Sequence, residues 1–128
     1  MIYLDTSVAL AHLLAEDRHP SDDLWAEVLV SSRLIEYELW TRLNARGLGP
    51  SHGDALRELL ARLAMLDLSP VVLARATEPF PVPVRTLDAV HLASADFLRA
   101  QKQTVEIASY DARFLVAARK MGFVLARL

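Results

Sequence analysis

The chain of 128 residues contains no cysteine. Disulfide bonds, thiol catalysis and zinc–thiolate sites are therefore excluded, and a reducing compartment is allowed. No apolar run approaches the ~20 residues that a membrane-spanning helix needs. The amino terminus is a short apolar segment that ends at Asp5, without the basic start of a signal peptide. We therefore expect a cytoplasmic protein with no membrane association.

Net positive charge is absent as well. The formal net charge is −2 at pH 7, so the chain does not hold nucleic acid by bulk charge. Of its 14 basic residues, 12 are Arg, whose planar guanidinium suits bidentate contacts to phosphate. Five of them lie near the acidic segments described below: Arg33, Arg42, Arg46, Arg85 and Arg113.

Strand-like and helical segments alternate along a composition that is 53% apolar and 23% charged, which is typical of a compact globular protein. The length fits one domain over residues 1–128, and the sequence shows no repeat or linker. Short apolar runs predict strands at 2–4, 29–31, 65–68, 105–109 and 122–125. Predicted helices occupy 6–15, 21–28, 32–47, 52–64, the segment after Ser69-Pro70, 86–100 and 111–120. This alternation favours a parallel sheet covered by helices on both faces.

The segment 86–95 begins a helix with a carboxylate in its first turn. We expect Thr86 to be the N-cap, and Asp88 then lies where the helix dipole favours negative charge. Helical spacing predicts an inward face, and small residues would allow close approach to a neighbouring element. Taken alone, the segment is better explained as a capped core helix. The expected inward residues are Leu87, Val90, Ser94 and Phe97.

Four acids lie just past strand-like segments or at the starts of the following helices: Asp5, Glu38, Asp88 and Asp111. In a parallel sheet these points converge outside the carboxyl ends of the strands, where such folds bind ligands. Each acid alone could be a helix cap, a dipole partner or a solvated residue. Four carboxylates together repel one another unless cations lie between them, and oxygen-only ligands suit Mg²⁺ or Mn²⁺. Such a site can activate water and hold an in-line displacement at phosphorus.

Other acids compete for these roles. Asp96 lies eight residues after Asp88, about 12 Å further along a helix, so we expect it at the surface. Glu36 and Glu38 lie about 200° apart around a helix, so only one can face the site, and Glu38 is the better aligned.

Three polar residues near these acids have two interpretations each. His91 lies one turn after Asp88, and we expect a packed core residue rather than a metal ligand. Thr6 and Ser109 are hydroxyl neighbours that could orient carboxylates or act as ordinary caps.

Four parts of the sequence form a recognisable set in this order: 2–7 (IYLDTS), Ser32-Arg33-Leu34 with Glu38-Leu39, 86–93 (TLDAVHLA), and 109–114 (SYDARF) with Met121-Gly122-Phe123. Together they make the sequence resemble PIN-domain ribonucleases, most closely the VapC-type toxins of bacterial and archaeal toxin–antitoxin pairs. The resemblance covers essentially the whole chain. It implies a three-layer α/β/α fold with a mainly parallel central sheet of four to five strands.

The resemblance also implies a Mg²⁺- or Mn²⁺-dependent endoribonuclease. Asp5, Glu38, Asp88 and Asp111 would be its catalytic and metal-binding quartet. The implied partners are an RNA substrate and a cognate VapB-type antitoxin, with a homodimer inside the toxin–antitoxin complex. An amphipathic antitoxin helix is expected in a groove on the early helices. The apolar surface expected there comprises Leu14, Trp25, Leu39, Trp40 and Leu43, although both tryptophans could equally belong to the core.

Other protein classes fit less well. A receiver-type signalling domain would place an acidic pair near Asp5 and a lysine at the carboxyl edge, but Lys102 and Lys120 lie at helix ends. A haloacid-dehalogenase-like phosphatase needs a second Asp two residues after the first, where Ser7 stands. A PIN-like or receiver-like interaction module without nuclease activity remains the alternative.

Overall fold

The structure, a computed structural model, describes all residues 1–128. Its centre is a five-stranded sheet in the order β3-β2-β1-β4-β5, and every neighbouring pair of strands is parallel. The predicted parallel sheet is thus confirmed, with five strands. The strands are β1 Ile2–Leu4, β2 Leu29–Ser32, β3 Ala64–Leu66, β4 Glu106–Ala108 and β5 Val124–Leu125.

Helices cover both faces of the sheet. The residues of β1 alternate between the two faces, because successive side chains of a strand point in opposite directions. Ile2 and Leu4 belong to a core shared with helices α1, α2 and α3, whereas Tyr3 belongs to a core shared with α5 and α6. The predicted three-layer α/β/α arrangement is therefore confirmed. The helices are α1 Thr6–Leu13, α2 Leu34–Ala45, α3 Gly49–Ala61, α4 Pro70–Ala76, α5 Thr86–Ala100 and α6 Ala112–Lys120.

The helix predicted over residues 21–28 is wrong. Only a 3₁₀ helix, Asp22–Ala26, forms there, and the side chain of Ser21 does not cap it. Val28, expected inside, is 65% exposed. The Val28 carbonyl accepts the backbone N–H of Ile2, so the chain at Val28 pairs with β1 and cannot continue as a helix.

Helix α5 has the predicted length but a different cap and a different inward face. The N-cap residue is Arg85, in an extended conformation, and no side chain caps the helix. Leu87 is 48% exposed, and of the four expected inward residues only Ser94 is fully buried. Small residues of this helix are buried where it packs against β2, as expected. The buried residues of the helix are Ala89, His91, Leu92, Ala93, Ser94 and Ala95.

Two other helices begin with a side-chain cap. The Ser69 hydroxyl accepts the backbone N–H of Val72, with Pro70 at the first helical position of α4. Asp111 caps α6 through its side chain. The proline-rich segment 79–84 forms no helix and leads directly to Arg85. None of the helices combines the length and the apolar character that crossing a membrane requires.

Candidate active site

The carboxyl ends of the strands open into a pocket of about 310 Å³, and this pocket contains all four predicted acids. Asp5 follows β1, Glu38 lies in α2, Asp88 lies in the first turn of α5, and Asp111 precedes α6. The structure therefore brings together the residues that the sequence analysis grouped. The remaining lining residues are Thr6, Ser7, Leu10, Arg42, Arg85, Thr86 and Leu87.

Asp5 is held by two hydroxyl groups. Its carboxylate is only 5% exposed, and Oδ2 accepts hydrogen bonds of 2.7 Å from both Ser7 and Ser109. The two hydroxyl oxygens in turn accept the backbone N–H groups of Tyr110 and Asp111, so their protons point at Asp5. Oδ1 makes no hydrogen bond to the protein. Although Asp5 stands at the N-cap position of α1, its side chain makes no capping hydrogen bond, so capping does not explain it.

Glu38 is held in a similar way. Its Oε1 accepts the Thr6 hydroxyl at 2.9 Å and His91 Nε2 at 2.5 Å, and Oε2 makes no hydrogen bond. Thr6 and Ser109 therefore orient carboxylates, which was one of the two roles considered for them. In each of these two acids one oxygen is occupied by two protein donors and the other is free.

Behind Glu38 lies a buried chain of polar groups. The Ser32 backbone N–H donates to the Tyr3 hydroxyl oxygen at 3.1 Å, and that hydroxyl lies 2.7 Å from His91 Nδ1. Nε2 of His91 faces a carboxylate oxygen, which can only accept, so Nε2 carries a proton and donates to Glu38. In the neutral imidazole Nδ1 then accepts the Tyr3 hydroxyl, whose pKa is raised by burial. The expectation of a buried core histidine is confirmed, since His91 is 1% exposed, but its link to Glu38 was missed.

Asp88 and Asp111 are bridged by one guanidinium. Arg85 donates from Nε to Asp88 Oδ2 at 3.2 Å and from Nη2 to Asp111 Oδ2 at 2.9 Å. Burial raises the pKa of Asp88 above its ordinary value, the negative charges of Asp5 and Asp111 add to this, and Arg85 opposes it. Asp111 Oδ1 meanwhile accepts the backbone N–H groups of Arg113 and Phe114. Asp111 thus caps α6 with one oxygen and lines the pocket with the other.

The competing acids lie elsewhere. Glu36 does not line the pocket, which agrees with the choice of Glu38. Asp96 is also outside the pocket, but it is half-buried rather than a free surface residue. It accepts hydrogen bonds from Arg75 at 2.9 Å and from Arg99 at 2.8 Å. Although burial acts in the opposite direction, these two hydrogen bonds lower the pKa of Asp96.

The donor set fits a hard divalent cation in its chemistry. It consists of carboxylate oxygens, and Asp5 and Glu38 each keep one oxygen free toward the ligand. As the side chains are arranged, however, no three acidic or histidine groups are placed to hold one ion. Binding a metal would therefore require Asp88 and Asp111 to turn toward Asp5 and Glu38, and their contacts with Arg85 would have to open.

The prediction of an apolar partner surface on the early helices is wrong for Leu39 and Leu43, which are fully buried. The other three predicted residues, Leu14, Trp25 and Trp40, are half-buried and pack against the same core. The face of α2 that carries Leu39 and Leu43 packs on the sheet side, so it offers nothing to a partner. A larger and mostly apolar groove of about 700 Å³ instead lies between α4, the proline-rich segment 79–84 and the start of α5.

Comparison with known proteins agrees with the fold. The family model described as "PIN domain" matches residues 2–120. Ribonuclease VapC47 of Mycobacterium tuberculosis is 33% identical over 133 residues, covering 98% of this chain and 96% of that protein. Ribonuclease VapC46 of the same organism is 35% identical over 130 residues, covering 97% of this chain and 95% of that protein.

Two solved structures share the fold. Mycobacterium tuberculosis VapC20, described as a sarcin-ricin loop cleaving toxin, superposes with a TM-score of 0.70 at 23% identity, over 100% of both chains. A toxin–antitoxin complex from Klebsiella pneumoniae gives a TM-score of 0.67 at 15% identity, over 94% of both chains. The chain belongs to the PIN-domain family and, within it, to the VapC ribonucleases.

Proposed function

We propose that this protein is the toxin of a toxin–antitoxin pair and an endoribonuclease that hydrolyses RNA with Mg²⁺ or Mn²⁺. The observation that carries the proposal is the convergence of Asp5, Glu38, Asp88 and Asp111 on one pocket at the carboxyl edge of the sheet. Relatives that align over nearly the whole chain are named ribonucleases. Membership of this family removes the receiver-type alternative.

The four carboxylates are the residues that would hold the metal. When bound, the ion would supply a positive charge that activates water and stabilises the charge developing on the phosphate. The contribution of the chain itself is preorganisation. Two donors hold one oxygen of Asp5 and two hold one oxygen of Glu38, so the free oxygen of each has a fixed direction before any ligand arrives.

The substrate we propose is single-stranded or looped RNA. The chain has no excess of basic residues, so binding must depend on local contacts rather than on overall charge. Arg42 and Arg85 are the two basic residues that line the pocket beside the acids, and a guanidinium suits contacts to phosphate. A phosphodiester that enters the pocket can therefore meet both the acidic quartet and a guanidinium.

A cognate antitoxin of the VapB type is the proposed inhibitor, and a homodimer of the toxin is the proposed unit within their complex. A structural neighbour comes from a toxin–antitoxin complex, which supports the kind of partner. Co-expression with the gene product encoded beside this chain, followed by purification and light scattering, tests both points. A complex that cleaves RNA as fast as the free toxin, or no complex at all, contradicts the partner proposal.

The metal requirement is tested by incubating the purified protein with a labelled single-stranded RNA. We expect no cleavage in chelator and cleavage when Mg²⁺ or Mn²⁺ is restored. Cleavage that persists in chelator contradicts the proposed metal dependence. A pure protein that cuts no RNA with either ion, yet binds a partner, favours the inactive interaction module.

A further inference from the structure

Arg85 occupies an unusual place in the site. It is the N-cap residue of α5, and its guanidinium spans the gap from Asp88, on its own helix, to Asp111, at the start of α6. One cation therefore neutralises two members of the acidic quartet. The other two members, Asp5 and Glu38, are satisfied by neutral hydroxyl groups and by the histidine.

The contacts of Arg85 are of a kind that exchanges easily. Its side chain is 65% exposed, so packing does not hold it in place. Ion pairs with such exposure are weak and are screened by water. The guanidinium keeps its charge at any accessible pH, so deprotonation does not release it from the acids. Only a competing cation can displace it.

We propose that Arg85 is an exchangeable counter-ion of the site, an inference that rests on the proposed function. Without metal it holds Asp88 and Asp111 apart from the free oxygens of Asp5 and Glu38. A divalent cation takes over the two carboxylates and releases the guanidinium at the mouth of the pocket. There it binds a phosphate of the RNA, for which its planar fork is as well suited as for a carboxylate.

The arrangement of the quartet supports this inference. No three acidic groups converge on one point, although all four line the same pocket. The two carboxylates that Arg85 holds are the ones that must turn toward Asp5 and Glu38 for the quartet to act together. Metal binding would thus release the Arg85 guanidinium and make it available to bind a phosphate.

The first test measures Mn²⁺ affinity by titration calorimetry without RNA. Arg85→Gln removes the competing cation, and we expect it to bind Mn²⁺ about fivefold more tightly than wild type, the equivalent of two exposed ion pairs. Arg113→Gln is the matched control. Arg113 is exposed and lies beside the same pair of acids, but its side chain makes no ion pair, so its loss should leave the affinity within about twofold.

The second test measures how kcat/KM for RNA falls with NaCl concentration at saturating Mn²⁺. A lost phosphate contact should make the logarithmic slope shallower by about 0.7 in Arg85→Gln. Arg85→Lys should keep the slope, because it keeps the charge. Arg46→Gln, which removes an exposed and unpaired charge just after the end of α2, should leave both the slope and the rate unchanged.

Either of two results overturns the inference. One is an Arg85→Gln protein that binds Mn²⁺ no more tightly than wild type, which would mean that Arg85 organises the acids rather than competes for them. The other is an unchanged salt slope. Failure of the proposed function looks different, because the wild-type protein itself would then neither bind Mn²⁺ nor cleave RNA.

Discussion

His91 Nε2 lies 2.5 Å from Glu38 Oε1 and so connects the buried side of helix α5 to the acidic pocket. Because Tyr3 occupies the other ring nitrogen, the donor toward Glu38 is fixed by the core of the protein. A histidine in an apolar helix and a tyrosine in a central strand thereby set the direction of a carboxylate that faces RNA in our account.

Tyr3→Phe tests this connection. The change removes one buried hydroxyl and leaves the Ser32 N–H and His91 Nδ1 without a partner, which should cost about 1–3 kcal/mol of folding free energy. His91 is then free to turn, so we also expect a tenfold or greater loss of Mn²⁺ affinity, on the order of that seen when groups behind a metal ligand are removed. Thermal melting and calorimetry measure the two effects.

The control for that variant is Tyr37→Phe, since Tyr37 is exposed and makes no hydrogen bond. It should change neither the melting temperature nor the Mn²⁺ affinity. If Tyr3→Phe melts lower but binds Mn²⁺ like wild type, then Tyr3 is only a core residue and the chain to Glu38 has no functional consequence.

Divalent metal should stabilise the fold. An ion that binds only the folded state adds about 2.7 kcal/mol at a hundredfold excess over its Kd, which raises the melting temperature of a domain of this size by several degrees. NaCl at matched ionic strength should raise it less. A melting temperature that Mn²⁺ leaves unchanged would argue against a metal site in the folded protein.

Asp88→Asn should raise the melting temperature of the metal-free protein. The pKa of Asp88 is raised by burial, so the folded state disfavours its charge, and the stability of wild type falls as pH rises through the folded pKa. Above the folded pKa, Asn removes the cost of burying this charge, so the variant should be more stable than wild type. Below the ordinary carboxyl pKa, Asp88 is protonated in both states and the two proteins should have nearly the same stability. The same variant should lose most of the stabilisation by Mn²⁺. Scans with chelator and with Mn²⁺ at several pH values measure both.

An Asp88→Asn protein that melts below wild type in chelator and keeps the full Mn²⁺ effect would show that Asp88 only stabilises the helix terminus. Asp23→Asn is the matched control, because Asp23 is exposed and has no ion pair. It should follow wild type in both conditions.

Asp96→Asn should behave in the opposite way, although the sequence predicted Asp96 only as a surface residue. Its pKa is lowered by Arg75 and Arg99, so its carboxylate stabilises the fold above the unfolded pKa, and this is lost as pH falls through the folded pKa. Asn should therefore lower the melting temperature by a few degrees near neutral pH. The difference should begin to shrink below about pH 4 and should vanish below the folded pKa. Equal melting temperatures across that range would contradict the ion-pair assignment.

The sequence predicts the site residues whose position depends on a neighbouring strand, and it does not predict contacts between residues that are far apart in the chain. Asp5 and Asp111 follow strands directly, so the parallel sheet alone places them at one edge. Arg85 was only one of several arginines near that edge, because its bridge joins groups separated by 26 residues. The Tyr3–His91 contact joins residues that are 88 positions apart, and no periodic pattern in the sequence predicts it.

The errors in the fold have similar causes. Residues 21–28 have a helix-like apolar pattern, but the sheet pairing of Val28 with β1 overrides it. Leu39 and Leu43 were assigned to a partner surface, whereas the packing of α2 on α1 and α3 buries them completely. In both cases tertiary contacts decided between structures that the local sequence allows equally.

The most direct test of the account is the rate at which Asp5→Asn cleaves a labelled single-stranded RNA in Mn²⁺, beside wild type and Asp96→Asn. Asn can still accept the hydroxyls of Ser7 and Ser109, so the fold should survive while the negative charge is lost. We expect a loss of at least about a hundredfold, since changes behind a metal ligand alone cost 10- to 100-fold, and near wild-type cleavage by Asp96→Asn. An Asp5→Asn protein, free of contaminating nuclease, that cleaves RNA at the wild-type rate would contradict the acidic quartet as the active site.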